Sequence, residues 1–256
     1  MPQQINIRFY EGLNDFLAQG QRDTDFNVEL QKVRSVKDLI ESVGIPHTDI
    51  DVIIVNGESV GFNYQVQSGD RISVYPVSDS LPDSILIEPS VLQHCQPKRS
   101  GDALFVLDVH LGRLASYLRM LGFDTLYKND YDDPTLADIS ADEHRILLTC
   151  DRWLLMRKQI DHGYYVRNRQ PQQQLLETLS RFGLYDELKP FTRCMHCNGI
   201  TQPVEKQAIE THLLPKTKKY YNEFFQCSSC KKIYWKGSHY LKMKEMIDNV
   251  KTFKPN

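Results

Sequence analysis

Two groups of side chains in this 256-residue chain have the types and spacing to do chemistry. The first is Cys194-Met195-His196-Cys197 followed by Cys227-Ser228-Ser229-Cys230, two CxxC pairs with 29 residues between them. Four thiolates at such spacing suit tetrahedral Zn²⁺ in a closed structural site. A single CxxC is as often a redox pair, but two pairs in one short basic segment favour metal. His196 and His239 can ligate zinc, though four cysteines leave no need for them. The second group is acidic. Asp108 directly follows the apolar run 104–107, Asp130 lies just past 123–127, and Asp151 just past 146–148. Asp132 and Asp133 add two more carboxylates. Negative groups gathered in one cleft repel unless a divalent cation sits among them, and hard oxygen donors suit Mg²⁺ or Mn²⁺. Such an ion lowers the pKa of a bound water and stabilises the attacking and leaving oxygens of a phosphodiester. The competing role for any one of these aspartates is a helix cap. Asp133, before Pro134, fits that role best. The equivalence of Asp108 and Asp151, each at the end of an apolar run, raises the catalytic reading. Arg113, Arg119, Arg145 and Arg152 lie close by in sequence and can hold phosphates bidentately. Arg119 and Arg145 fit surface charges equally well. His110 can act as an acid or base, a weaker signal than the carboxylates.

These residues must be positioned by alternating strands and helices. Leu104 to Leu107 is an uninterrupted apolar run of the kind found in strands covered on both faces. Leu111, Leu114, Ala115, Leu118 and Leu121 recur at helical spacing up to Gly122. A second strand over 123–127, a helix from Asp133-Pro134, a third strand over 146–148, a helix over 153–160, a fourth strand over 164–166 and a helix over 171–182 follow. The alternation predicts an α/β domain over 101–188, a mostly parallel sheet with helices on both faces. Ligands of such sheets bind beyond the carboxyl ends of the strands, where the aspartates fall.

Residues 1–78 read as a separate small domain. Ile5, Ile7 and Phe9 alternate with polar residues, as do Phe26, Val28 and Leu30, which predicts a half-buried hairpin. Ser35 can cap a helix carrying Val36, Leu39, Ile40 and Val43, ended by Gly44. Strands over 52–55 and 71–75 are separated by the turn Asn56-Gly57. Residues 79–100, with Pro82, Pro89 and Pro97, predict a linker in which 85–87 can add a short edge strand. Cys95 within it is read as silent.

Charge is unevenly spread. The chain's net charge of -2 divides into -8 over residues 1–92, -2 over 93–188 and +8 over 189–256. A basic carboxyl segment (189–256) suits a polyanion such as RNA, or simply a solvated surface. Its lysines are interleaved with Tyr220, Tyr221, Tyr234 and Trp235, a combination that can hold phosphates and stack on bases, although Phe224, Phe225, Tyr234 and Trp235 read better as the core of a zinc ribbon. No apolar run approaches the ~20 residues needed to span a bilayer, so no membrane contact is expected. The polar start, without a secretory pattern, predicts a cytoplasmic chain with reduced thiols.

Two resemblances sharpen these readings. Strand, strand, helix, strand, strand, with Val55-Asn56-Gly57-Glu58 and Ser68-Gly69-Asp70-Arg71-Ile72, resembles the ubiquitin-like β-grasp domains of small sulfur carriers. The terminal Gly-Gly of those carriers is missing here, which disfavours sulfur transfer and points to binding or scaffolding. Leu104-Phe105-Val106-Leu107-Asp108, Leu111-Gly112-Arg113-Leu114-Ala115, Leu118 to Thr125 and Ile146-Leu147-Leu148-Thr149-Cys150-Asp151-Arg152 resemble the Mut-seven C-terminal RNase family. That resemblance implies a PIN-like nuclease fold with a zinc ribbon, preceded in many members by a ubiquitin-like domain. It further implies metal-dependent RNA cleavage, with Asp108 and Asp151 at the acidic positions, and Asp132 or Asp133 at a further one. Cys150 stands where a basic residue is expected, and Arg167-Asn168-Arg169 where PIN-type nucleases often carry another acid. The alternative function is a non-catalytic RNA-binding adaptor that recruits a protein partner through its β-grasp domain.

Overall fold

The structure, a computed structural model, describes residues 4–30, 32–77 and 91–253. The chain forms two compact units, 1–102 with 132–165 and 103–131 with 166–256.

The first unit opens with β1 (Gln4–Phe9), a 3-10 turn (Glu11–Phe16), β2 (Phe26–Glu29), α1 (Val36–Ser42), β3 (Ile50–Val55), β4 (Glu58–Val60) and β5 (Arg71–Pro76). Their sheet has the order β2-β1-β5-β3-β4, with β1 and β5 parallel and Ile7 opposite Ile72. The alternation of Ile5, Ile7 and Phe9 turns all three inward, where they are buried against Leu39 and Ile40 of α1. Ser35 caps that helix, its Oγ accepting from the Asp38 amide at 3.1 Å. The turn Asn56-Gly57 has positive φ at both residues, which its sequence favours, and Asn56 Oδ1 accepts from the Arg71 amide at 2.9 Å. This is the β-grasp arrangement that the strand order and the turn predict.

The described part of the expected linker is less independent than its proline content suggests. Cys95 N–H donates to Asp51 O at 2.6 Å, and His94 Nδ1 meets Asp51 Oδ2 at 2.7 Å. Gln96 Nε2 donates to His47 O at 2.8 Å. Residues 93–96 therefore lie along β3, held by polar bonds that leave no periodic apolar signal. The strand expected over 85–87 falls outside the described residues. Burial first, then the Asp51 carboxylate, pushes the Cys95 thiol up to about 12, which fits its silent reading.

The same unit holds α3 (Asp133–Asp142), β8 (Ile146–Thr149), α4 (Arg152–Leu155) and β9 (Gly163–Tyr165), numbered after β6 (Leu104–Leu107), α2 (Gly112–Met120) and β7 (Asp124–Leu126) of the second unit. β8 and β9 pair in parallel with Leu148 opposite Tyr164, and β6 and β7 pair in parallel with Phe105 opposite Thr125. Both pairs are parallel and flanked by helices, the α/β arrangement that the alternation predicts. The helix expected over 153–160 is a single turn. Met156 N–H and Arg157 N–H reach back only three residues, to Trp153 O and Leu154 O, so the chain tightens into turns that bury Ile160.

The second unit continues with α5 (Pro171–Arg181), whose Leu175 and Leu179 are fully buried. β10 (Thr201–Val204), short helices α6 (Lys206–Ile209) and α7 (Pro215–Tyr220), β11 (Phe224–Cys227), β12 (Ile233–Trp235) and α8 (Ser238–Thr252) complete it. β10, β11 and β12 form a small antiparallel sheet in that order. No helix among the described residues is long and apolar enough to cross a membrane.

Candidate metal centre and acidic strand ends

The Sγ atoms of Cys194, Cys197, Cys227 and Cys230 lie within 4.8 Å of one another. Across the two pairs, Cys194 lies 3.6 Å from Cys230 and Cys197 lies 3.4 Å from Cys227. Zn–S bonds of about 2.3 Å in a tetrahedron give sulfur edges of roughly 3.8 Å, close to this cage. A redox CxxC needs only its own two sulfurs, whereas here the sulfurs of both knuckles converge on one point, which favours a metal. The knuckles are built by backbone bonds: Cys194 N–H donates to Gly199 O at 2.7 Å, and Cys227 N–H to Lys232 O at 3.0 Å. Position 199 must be glycine, since a Cβ there would stand 2.6 Å from Ser229 Oγ and 2.9 Å from Cys227 Sγ. Burial opposes ionisation of Cys197, yet the Gly199 amide and the three neighbouring thiols hold its pKa down at about 6. Tyr234 OH sits 3.0 Å from Cys194 Sγ, an outer hydroxyl able to support that ligand. Phe224 is buried as expected of a ribbon core, but Trp235 is partly exposed.

The cage is tied to the edge of β7. Arg119, expected to bind phosphate or lie on the surface, is buried, and so is Arg145. Arg119 Nε donates to Thr125 O at 2.9 Å, and one terminal nitrogen to His196 O at 2.9 Å and Met195 O at 3.3 Å. Its donors fasten the first knuckle to β7. Arg145 instead meets Glu143 at 2.6 Å. Asn198 completes the joint: its Oδ1 accepts from the Thr125 amide at 2.9 Å and its Nδ2 donates to Asp124 Oδ1 at 2.8 Å. Sequence reading missed Asn198. The only signal was Asn-Gly just after Cys197, a turn pair that permits its positive φ.

Two of the acidic strand ends, Asp108 and Asp151, double as caps. Asp108 is buried just past β6, and its Oδ1 accepts from the His110 amide at 3.3 Å. His110 and Arg113 are exposed. Asp151 follows β8 within two residues. Its Oδ1 accepts from the Trp153 amide at 2.8 Å, and its own amide donates to Thr149 Oγ1 at 2.9 Å. Asp130 is exposed beyond β7. The cap of α3 is Asp132, not Asp133: Asp132 Oδ1 accepts from the Thr135 amide at 3.0 Å, which holds its carboxyl below the ordinary range. Asp133 is already helical, because Pro134 suits the second helical position as well as the first, and it pairs with Arg157 at 3.8 Å. Arg152 turns toward the β-grasp fold. One of its terminal nitrogens is 3.5 Å from Phe16 O, and its guanidinium lies 5.0 Å from the centre of the Trp153 ring. Among the described residues, the four cysteines are the one set of three or more His, Cys, Asp or Glu side chains whose ligand atoms converge.

The family model of the Mut7-C RNAse domain matches residues 103–247, more than half of the chain. That of the Mut7-C ubiquitin domain matches residues 2–82. The chain therefore belongs to the Mut7-C RNAse family, with a ubiquitin-like domain preceding the nuclease-type domain. No curated protein and no solved structure matches it.

Proposed function

We propose that the chain is a metal-dependent ribonuclease that hydrolyses RNA phosphodiester bonds, with Asp108 and Asp151 holding Mg²⁺ or Mn²⁺ and a structural Zn²⁺ in the cysteine cage. The observation that carries this reading is membership of residues 103–247 in an RNase family, together with aspartates just beyond two parallel strands of that region. Magnesium keeps several waters and binds through one or two carboxylates plus substrate phosphates, so two aspartates are ligands enough for it. When bound, such an ion supplies a water of lowered pKa and positive charge for the departing oxygen. Asp130, Asp132 and Asp133 are secondary candidates, their carboxylates being exposed. Exposed Arg113, on the first turn of α2, is the arginine best placed to hold a phosphate. The ribbon contributes affinity through the +8 charge of residues 189–256, and the ubiquitin-like domain suits a protein partner.

The test is incubation of labelled RNA and DNA with the full chain, with Mg²⁺ or Mn²⁺, alongside Asp108→Asn and Asp151→Asn. Each asparagine keeps an oxygen for the capped amide while removing the charge that holds the ion. Cleavage should fall at least ~100-fold in each variant, and RNA binding should persist. Full activity in both variants refutes the assignment. A wild type that binds RNA and cuts none with either metal favours the adaptor.

A further inference from the structure

Trp153 lies directly beside Asp151, yet 61% of it is exposed. Its backbone is fixed by the Asp151 cap, and its ring carries the Arg152 guanidinium 5.0 Å from its centre. It borders a shallow hollow of about 300 Å³ that also includes Cys150, Asp151, Arg152 and Tyr165, with Asp15 and Phe16 of the ubiquitin-like domain on its other wall. That wall is anchored. The Phe16 ring meets Tyr165 edge-on at 5.1 Å, His47 Nε2 is 2.8 Å from Ile160 O, and Tyr165 N–H lies 3.4 Å from Asp49 Oδ1. Gly44 leaves room for Arg152, whose guanidinium would stand 3.1 Å from a Cβ there.

We propose that this hollow is a nucleobase subsite in which one unpaired base of single-stranded RNA stacks on Trp153, so that the ubiquitin-like domain forms part of the substrate site. The inference rests on the ribonuclease reading and names its substrate class. An exposed indole is a flat surface that accepts any base, and Arg152 beside it adds a cation for the adjoining phosphate. A duplex keeps its base faces covered by stacking and cannot use such a platform, so the occupant is a single strand. The Asp151 cap fixes the backbone of Trp153 beside that carboxylate, which ties the stacked base to the cleavage site.

The experiment measures binding of a fluorescent, unpaired RNA oligonucleotide to the full chain without added Mg²⁺ or Mn²⁺ and without chelator, so that zinc stays bound and cleavage plays no part. Trp153→Ala should weaken binding by roughly five- to a hundredfold, as loss of one stacked base does, while Trp153→Phe restores most of it. Duplex RNA of the same sequence should bind both variants as it binds wild type. The chain has 2 tryptophans, so Trp235→Phe leaves Trp153 as the sole indole, and its fluorescence should be quenched by the oligonucleotide. Unchanged single-strand binding by Trp153→Ala, or no quenching, overturns the subsite even if the chain cleaves RNA. A Trp153 effect in a chain that cleaves nothing keeps the subsite and removes the nuclease.

Discussion

Arg119→Met tests whether the joint between the knuckle and β7 is as important as its bonds suggest. The side chain is buried and its guanidinium reaches carbonyls of Thr125, Met195 and His196. Hydrogen bonds from a charged donor contribute about 1.5–3 kcal/mol each, and removal leaves three carbonyls short of a donor. Against this, burial already lowers the Arg119 pKa, so methionine relieves some desolvation. The balance is a loss of about 3–5 kcal/mol, as for other buried charges whose partners are stranded. In a chain of this size that is a fall in Tm on the order of 10 °C. Zinc should also be released faster to a colorimetric chelator, because two of the three carbonyls belong to the first knuckle. Arg119→Lys keeps the charge but not the planar fork, and should recover only part of the loss. The rival expectation, an arginine that holds phosphate, gives the opposite pattern: Tm unchanged and the salt dependence of RNA affinity reduced by about one unit of slope. Thermal melting and a salt titration on the same samples separate the two, and an unchanged Tm with a reduced slope would refute the joint.

Cys197→Ser or Cys230→Ser should each lose one equivalent of zinc by elemental analysis and melt residues 189–256 first, whereas Cys95→Ser and Cys150→Ser keep the metal. Asp132 has a folded pKa below its unfolded value, so its stabilising cap is complete above the ordinary carboxylate range and fades as pH falls through the lower folded pKa. The acid-unfolding curves of wild type and Asp132→Ala should therefore diverge at neutral pH and converge in strong acid. Replacing the exposed Lys216, Lys219 and Lys232 by alanine should flatten log affinity against log salt by up to about three units of slope at unchanged Tm, and a retained slope would remove those lysines from the RNA interface.

What could be read in advance was whatever depends on periodicity or close spacing. Ile5, Ile7 and Phe9 announced β1, Ser35 announced its helix, and the cysteine spacing announced the cage. What escaped depends on partners distant in sequence. Arg119 looks identical in sequence whether it faces phosphate or a carbonyl 77 positions away at His196. Asn198 acts through an unpaired edge amide of β7, which no local pattern displays. Trp153 was assigned to a helix that stops after one turn, and the nearness of Phe16 rests on pairing across 136 positions. Hydrophobic periodicity reports which face of an element is covered and is silent on what covers it. At the acidic strand ends a cap and a ligand look alike in sequence, and Asp108 and Asp151, read as ligands, also accept capping bonds from backbone amides.

The compact units explain why truncation is a poor probe of this chain. Sequence reading treats β-grasp domain, nuclease domain and ribbon as successive modules. The units instead group residues 1–102 with 132–165, and 103–131 with 166–256. A cut before residue 103 severs His47 from Ile160 and Phe16 from Tyr165, contacts internal to one unit. A cut at residue 189 removes Phe191 N–H from Met120 O and Asn198 from the Thr125 amide, contacts internal to the other. Either truncation would strand buried polar groups and lose activity through misfolding, whatever its effect on RNA. Point substitutions at Trp153, Arg119 and the exposed lysines each alter one interaction while the unit around it stays closed, so only they can separate substrate contact from architecture.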